Sequence, residues 1–159
     1  AIDECREIAY NLRPYHLSRF GLAATLRAMF MRIGEVTAIA PSTEIDDLDD
    51  GLSADAQINV YRIVQECVNN IIKHSRATEA TLVARRDGHD IVLVISDNGV
   101  GFVRPVPSTA PSASPATRSG FGLIGIAERV RMLGGTVEIQ AAAGTTIRIG
   151  LKATGPETS

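Results

Sequence analysis

The stretch ISDNGVGF, residues 95–102, decides the fold because it places an acid and two glycines at the end of a strand-like run. Asp97 ends the run, and Gly99 and Gly101 follow it where a side chain would keep a ligand away from the backbone. An acid that only caps a turn in a hairpin is the alternative for an isolated Asp-Asn-Gly. The two glycines favour a site that needs a fixed carboxylate.

Length and composition indicate one globular domain. The chain has 159 residues, of which 45% are hydrophobic and 21% are charged, so it can bury a core. A formal net charge of −2 provides no basic field, so we expect no nucleic-acid partner. Cys5 and Cys67 lie in apolar helical patterns without metal-ligand spacing, which favours free thiols in a reducing cytoplasm over a disulfide or a metal site.

The ends of the chain predict a cytoplasmic piece of a longer protein. No apolar run reaches the roughly 18 residues of a membrane span, and no signal-peptide pattern opens the sequence. The chain starts at Ala1, without Met, and already within a helical pattern.

The order of the predicted elements favours an α+β fold. Apolar spacing and helix-ending signals predict helices at 2–12, 22–33, 53–75 and 122–133. β-strand patterns and turn residues predict strands at 35–40, 81–85, 90–96, 136–140 and 145–151. We therefore predict a two-layer α/β sandwich, with helices covering one face of a mixed, mostly antiparallel sheet.

A segment without periodic pattern separates the last predicted helix from the strand that ends at Asp97. Residues 103–119 are rich in Pro, Ser, Ala and Thr. This composition is typical of a disordered insertion or of a mobile lid, and both interpretations stay open.

The predicted helix YRIVQECVNNIIKHS, residues 61–75, carries polar residues opposite its apolar side. Glu66, Asn70, Lys73 and His74 recur every three or four residues. For an arbitrary helix, a solvated face with i,i+4 pairs is the simpler interpretation. The short amide of Asn70 is also suited to Mg²⁺, which shares its ligands with waters and phosphates, so Lys73 and His74 would meet phosphate charge.

Three glycines mark the predicted start of the last helix. In SGFGLIGIAERV, residues 119–130, Gly120, Gly122 and Gly125 would expose backbone N–H groups and the positive end of a helix dipole to an anion. The pattern is weak by itself, because glycines also form turns. It is neither a Walker loop nor a dinucleotide fingerprint.

Together these stretches resemble the ATP-binding domain of sensor histidine kinases, in the superfamily shared with gyrase, heat-shock chaperone and mismatch-repair ATPases. QECVNNIIKH (65–74) resembles the asparagine box, DNGVGF (97–102) the first glycine box and GFGLIGIAERV (120–130) the second. LRPYHLSRFGLAATLRAM (12–29) is similar to the junction between dimerisation helices and catalytic domain in the nitrate-sensor-like subfamily.

The resemblance implies the Bergerat-type ATP-binding fold and a division of the chain. Residues 1–18 would end a dimerisation helix and form the junction, 19–154 would be the catalytic domain with an ATP lid at 103–119, and 155–159 would be a tail. The catalytic domain would be cytoplasmic, in a parent kinase whose anchoring in the inner membrane stays open.

The resemblance also implies roles for individual residues. Asp97 would accept a charge-assisted hydrogen bond from the N6 amine of adenine. Asn70 would be the Mg²⁺ ligand, and Thr145 would lie near adenine, although the loop QAAAGTT (140–146) lacks the extra glycine and polar residues often found there in the family. The implied ATP-binding set is Asn70, Lys73, His74, Asp97, Gly99, Gly101, Gly120, Gly122, Leu123, Gly125 and Thr145.

The catalytic role of Glu66 depends on the branch of the superfamily. In the related ATPases this glutamate activates water, whereas in the kinase subfamily an acid beside the phospho-accepting histidine takes the proton. We assign Glu66 to the region of the metal and γ-phosphate, as an assisting base or an orienting group.

The resemblance implies a protein-histidine kinase of a two-component system that uses ATP and Mg²⁺. The γ-phosphate would pass to a histidine on a dimerisation domain, absent from this sequence, and then to a helix-turn-helix response regulator; the parent would be a homodimer. An anti-sigma-type serine/threonine kinase, which would not need the junction LRPYHLSRFGL (12–22), and a nucleotide sensor without activity are the alternatives. None of His16, His74 and His89 resembles the acceptor.

Overall fold

A five-stranded sheet with helices on one face organises the described part of the chain. The computed structural model describes residues 15–48, 51–100, 115–141 and 143–153. The helices are α1 (Tyr15–Phe20), α2 (Leu22–Met31), α3 (Ile33–Val36), α4 (Ala54–Asn70), a π-helix (Ile71–Ser75) and α5 (Pro115–Met132). The strands are β1 (Ala40–Ile45), β2 (Glu79–Asp87), β3 (Asp90–Asp97), β4 (Thr136–Ala141) and β5 (Thr145–Lys152).

The strand order confirms the predicted mixed, mostly antiparallel sheet. The order is β1-β2-β3-β5-β4, with β1 parallel to β2 and every other neighbouring pair antiparallel. The parallel pair requires a crossover, which α4 supplies. The turn residues Asp87-Gly88, between the strands predicted at 81–85 and 90–96, form the hairpin that joins β2 to β3, and Gly88 has a φ of +60°, in the left-handed region that glycine tolerates.

The core lies between the sheet and the helices α2, α4 and α5. In β3, Ile91, Leu93 and Ile95 are buried, while the residues between them are only half-buried. Period-two burial of this kind arises when one face of a sheet is covered and the other is less protected. The two-layer sandwich is confirmed.

Helix α4 begins where the sequence predicts. Ser53 is the N-cap, and its hydroxyl accepts a hydrogen bond of 3.2 Å from the backbone N–H of Ala56. Asp55 in the first turn adds a negative charge at the positive end of the helix dipole. The apolar stripe that follows is buried at Val60, Ile63, Val64, Cys67 and Val68.

Among the differences from the sequence prediction, three move an element or change its type. The first strand occupies Ala40–Ile45 and not 35–40, because Ile33–Val36 forms a helical turn that Thr37 ends by bonding to the carbonyl of Ile33. The predicted helix 53–75 changes to a π-helix after Asn70. The last helix begins at Pro115, seven residues before Gly122, and a proline is well suited to a first helical position.

Several predictions fall on residues that the structure does not describe. The helix at 2–12, the first part of the lid at 103–114 and the tail at 155–159 lie outside the described residues. The remaining lid residues, 115–119, belong to the first turns of α5.

Replacing Leu93 by alanine tests which face of the sheet is packed. Leu93→Ala removes a fully buried side chain and should lower the free energy of unfolding by about 2–5 kcal/mol. The matched control Val94→Ala, one residue further along β3, should cost less because Val94 is only half-buried. Urea denaturation measures both values, and equal losses would contradict the one-sided core.

Candidate functional site

A pocket opens where α4, β3 and β5 meet. It is lined by Cys67, Asn70, Ile71, His74, Ser75, Ile95, Asp97, Thr145 and Ile147. Four of the residues predicted for nucleotide binding, Asn70, His74, Asp97 and Thr145, are therefore brought together from three separate segments of the chain. The floor is largely apolar, which suits the flat faces of an aromatic ring.

The carboxylate of Asp97 is held at the end of β3 by backbone donors. Its Oδ1 accepts a hydrogen bond of 2.9 Å from the N–H of Gly99. Burial raises the pKa of the Asp97 carboxyl above its usual value, while the backbone N–H groups of Gly99 and Thr145 act in the opposite direction. The site thus offers an oriented, half-buried hydrogen-bond acceptor.

Thr145 faces Asp97 from the neighbouring strand. It is the first residue of β5, is buried, and is the register partner of Asp97. Gly144 just before it has a φ of +112°, and an added Cβ would lie 2.1 Å from the carbonyl oxygen of Asp97. Only glycine fits this approach, so the turn before β5 is fixed against the end of β3.

Close packing against Ser75 also leaves no room for a side chain at Gly99. An added Cβ would lie 1.9 Å from the carbonyl oxygen of Ser75, and the N–H of Val100 donates to that same oxygen at 2.8 Å. The turn after β3 therefore rests on the end of the π-helix. The predicted role of Gly99 in admitting a ligand stays a prediction.

Asn70 is a buried amide with an unused donor. It is 8% exposed, and its Nδ2 has no hydrogen-bond partner. An orphaned polar atom in a pocket wall costs stability unless a ligand or water satisfies it. Asn70 ends the α-helical part of its helix, and π-helical turns of the kind that follows are frequent at functional sites.

The residues predicted to form one polar face of this helix do not all line the pocket. His74 lines the pocket and has an exposed side chain. Lys73 is exposed beside it, and Glu66 is half-buried one turn before Asn70; neither is among the pocket-lining residues. The π-helix changes the angle between successive side chains, so spacing read as α-helical does not carry past Asn70.

The second glycine-rich stretch lies inside α5. The sequence predicted that these residues begin the last helix, and that prediction is wrong. The helix begins at Pro115, five or more residues before Gly120, Gly122, Leu123 and Gly125. Beyond the first turn, backbone N–H groups are committed to bonds within the helix. A phosphate cradle formed by these residues would require this part of α5 to rearrange. Gly101 lies outside the described residues.

Sequence reasoning missed the apolar and structural members of the pocket. Cys67 lies one turn before Asn70, and Ile95 lies two residues before Asp97 on the same face of β3. Helical and strand periodicity, applied backwards from the two polar residues, would have found both. Burial raises the pKa of the Cys67 thiol, so this free cysteine stays neutral and contributes apolar surface.

A metal ion would need ligands from a bound molecule. In the described ranges, no group of three or more His, Cys, Asp or Glu side chains could hold a metal. The unsatisfied Nδ2 of Asn70 is a donor and suits an acceptor such as a phosphate oxygen. A cation would have to be held by the amide oxygen of Asn70 and take its other ligands from phosphate and water. No helix in the described part of the chain is long and apolar enough to cross a membrane.

Comparison with known proteins decides the family. Residues 55–155 match the family of histidine kinase-, DNA gyrase B- and HSP90-like ATPases. This chain belongs to that family. Its five-stranded sheet and the pocket between α4 and the ends of β3 and β5 are therefore features of an ATPase-type domain.

Two curated relatives are sensor kinases. The sensor histidine kinase MctS of Rhizobium johnstonii is 32% identical over 148 residues, which are 92% of this chain and 31% of that protein. The signal transduction histidine-protein kinase/phosphatase UhpB of Salmonella typhimurium is 33% identical over 151 residues, 94% of this chain and 28% of that protein. The chain thus spans less than a third of the length of either relative.

Solved structures agree with the fold. The blue-light activated histidine kinase of Erythrobacter litoralis EL346 gives a TM-score of 0.66 at 19% identity, covering 87% of this chain and 43% of that chain. The mycobacterial sensor histidine kinase MprB gives 0.59 at 20% identity, covering 84% and 96%. These likenesses confirm the α+β architecture.

Asp97→Asn tests the acceptor in the pocket. The amide keeps the shape but is an uncharged and weaker acceptor, so ADP binding should weaken by roughly 1.5 to 3 kcal/mol. Asp90→Asn is the matched control, because Asp90 lies at the other end of β3 and pairs with Lys152. Calorimetry should find the ADP affinity of the control unchanged. An unchanged ADP affinity in Asp97→Asn would show that Asp97 does not bind the nucleotide.

Proposed function

We propose that this chain is the ATP-binding catalytic domain of a two-component sensor histidine kinase. The observation that carries the proposal is the meeting of Asn70, His74, Asp97 and Thr145 around one pocket, although they come from distant parts of the sequence. The names of the relatives MctS and UhpB favour a histidine kinase over a serine/threonine kinase.

Adenine binds with its N6 amine on Asp97 in this proposal. A carboxylate that already accepts backbone N–H bonds has a fixed direction, and it prefers a donor over the oxygen that guanine carries at the same place. Ile95 and Ile147 supply apolar contact to the ring, and Thr145 closes the pocket beside Asp97.

The phosphates extend towards the end of the helix that carries Asn70. His74 and Lys73, both exposed there, meet the phosphate charge. Gly101 and the residues of the second glycine-rich stretch, Gly120, Gly122, Leu123 and Gly125, complete the contacts to the triphosphate after rearrangement of α5.

The amide oxygen of Asn70 would hold Mg²⁺ together with phosphate oxygens and water. When bound, the ion would supply neutralisation of the phosphate charge. The protein contributes the orientation of the amide, which burial fixes at the pocket wall. Glu66, one turn earlier, orients the attacking group or assists in removing its proton.

The reaction transfers the γ-phosphoryl group of ATP to a histidine nitrogen. A nitrogen–phosphorus bond forms while the bond to the bridging oxygen breaks, and ADP leaves. The acceptor belongs to the kinase's own dimerisation domain in a homodimeric, cytoplasmic catalytic assembly. The phosphoryl group then passes to an aspartate of a helix-turn-helix response regulator.

Asn70→Ala separates nucleotide binding from phosphotransfer. Loss of the amide should reduce transfer by roughly 10²-fold or more, whereas binding of a nucleotide without metal should change little. Asn59→Ala is the control on the same helix, because within the described residues the Asn59 side chain bonds locally, to the carbonyl of Asp55. The assay supplies the acceptor as a protein carrying the dimerisation helices. Full transfer by Asn70→Ala would refute its role.

The 159-residue chain should bind ATP without labelling itself. His74 is on the phosphate side of the pocket and cannot be both a ligand of the γ-phosphate and its in-line acceptor. His89 is exposed in the β2–β3 turn, beyond the far end of β3 from Asp97. Incubation with γ-labelled ATP and Mg²⁺ should give no acid-labile label, and a protein carrying the dimerisation helices should become labelled. Stoichiometric label on the chain alone would contradict the proposal.

A further inference from the structure

Asn98 connects the turn after β3 to the start of β2. Its Oδ1 accepts hydrogen bonds from the backbone N–H groups of Thr78, at 2.9 Å, and Glu79, at 3.0 Å. Its Nδ2 donates to the hydroxyl of Thr78 at 2.9 Å, and its own N–H donates to the carbonyl of Glu79 at 3.2 Å. Although the residue is exposed, four hydrogen bonds fix its conformation.

The other side of the same turn is tied to the end of the π-helix. The N–H of Val100 donates to the carbonyl of Ser75 at 2.8 Å. Ser75 is itself buried, and its hydroxyl donates to the carbonyl of Ile71 and accepts from the N–H of Ala77. The turn is therefore held at two points, one on each side of Gly99.

The position of Gly99 sets the direction of the Asp97 carboxylate, because the N–H of Gly99 donates to Oδ1. Gly99 has no side chain with which to hold itself in place. Its position follows from its two chain neighbours, Asn98 and Val100, whose bonds lead to the segment 75–79.

We propose that Asn98 is a positioning residue that aims the Asp97 carboxylate at the amine of the bound base. This inference rests on the proposed function, because it assumes that Asp97 receives the N6 amine of adenine. It adds a residue whose side chain is not among those lining the pocket and which acts through the bonds that hold the turn.

The chemistry of the asparagine amide matches this task. An acceptor must face two converging N–H groups, and a donor must face the Thr78 hydroxyl. Aspartate keeps the acceptor and can take a bond from that hydroxyl, whereas leucine has a similar size and no polar atom. Because Asn98 is exposed, water replaces the lost bonds in Asn98→Leu, and the chain should still fold.

Two nucleotides that differ only in the amine provide the readout. ATP carries N6, and purine riboside triphosphate lacks it. Calorimetry on the 159-residue chain, at a temperature where circular dichroism shows each variant folded, gives both dissociation constants. In Asn98→Leu, ATP affinity should fall roughly tenfold, with little change for purine riboside triphosphate, so the preference for ATP falls by a similar factor.

Two further variants act as controls. Asn98→Asp should retain ATP affinity within about threefold, because the accepted bonds remain. Asn59→Leu makes the same substitution at a side chain whose bond, in the part of the chain that the structure describes, is a local one to the carbonyl of Asp55 on α4. It should leave both constants unchanged. If Asn98→Leu does not fold, Thr78→Val removes one of the bonds and should lower the preference for ATP about two- to threefold.

Equal weakening of both nucleotides, or an unchanged preference in Asn98→Leu, would overturn the positioning role and leave a structural one. If the wild-type chain prefers ATP and Asn98→Leu keeps that preference, only the role of Asn98 fails. A wild-type chain that binds ATP no better than purine riboside triphosphate would overturn the proposed role of Asp97, and this inference with it.

Discussion

The register of β3 at the centre of the sheet is the constraint on which the candidate site depends. Asp97, its last residue, has Ala80 of β2 on one side and Thr145 of β5 on the other. A slip of one residue would turn the whole strand over, exposing Ile95 and the other buried residues and aiming Ser96 at the pocket. Burial of one face of β3 therefore holds the carboxylate where a base can meet it, and core packing and binding depend on the same register.

The second half of the site depends on how α4 ends. An α-helix that continued past Asn70 would present Lys73 and His74 at the regular angles of an α-helix. The π-helical turn changes those angles and ends at Arg76, which has a left-handed conformation with φ +51°. The carbonyl of Ser75 then meets the turn after β3. The backbone bond between these two segments, from Val100 to Ser75, couples the part of the pocket that would hold the base to the part that would hold the phosphates.

The exposure of the two ends of the pocket differs in a way that fits the proposed transfer reaction. In the proposed binding mode, Cys67, Ile95 and Ile147 enclose the end of the pocket that takes the base, and desolvation there would strengthen a hydrogen bond to Asp97. At the other end, His74 lines the pocket and is exposed, and Lys73 is exposed beside it. A phosphoryl group at that end would be reachable by an acceptor on another domain, while the base remains fixed. In the proposed kinase that acceptor lies outside this chain, which spans less than a third of the length of MctS.

The sequence by itself determined the parts of this protein that have local signals. The cap at Ser53, the hairpin at Asp87-Gly88, the alternation of β3 and the acid that ends it were all predictable, because each depends on neighbouring residues. The sequence misplaced β1 and the start of α5, where the apolar pattern is weak and a few backbone bonds set the boundary. Only the tertiary structure decided that Gly99 must rest on Ser75 and that Thr145 must face Asp97. Those contacts join residues far apart in the chain, and they follow from strand pairing and close backbone packing, which no local pattern encodes.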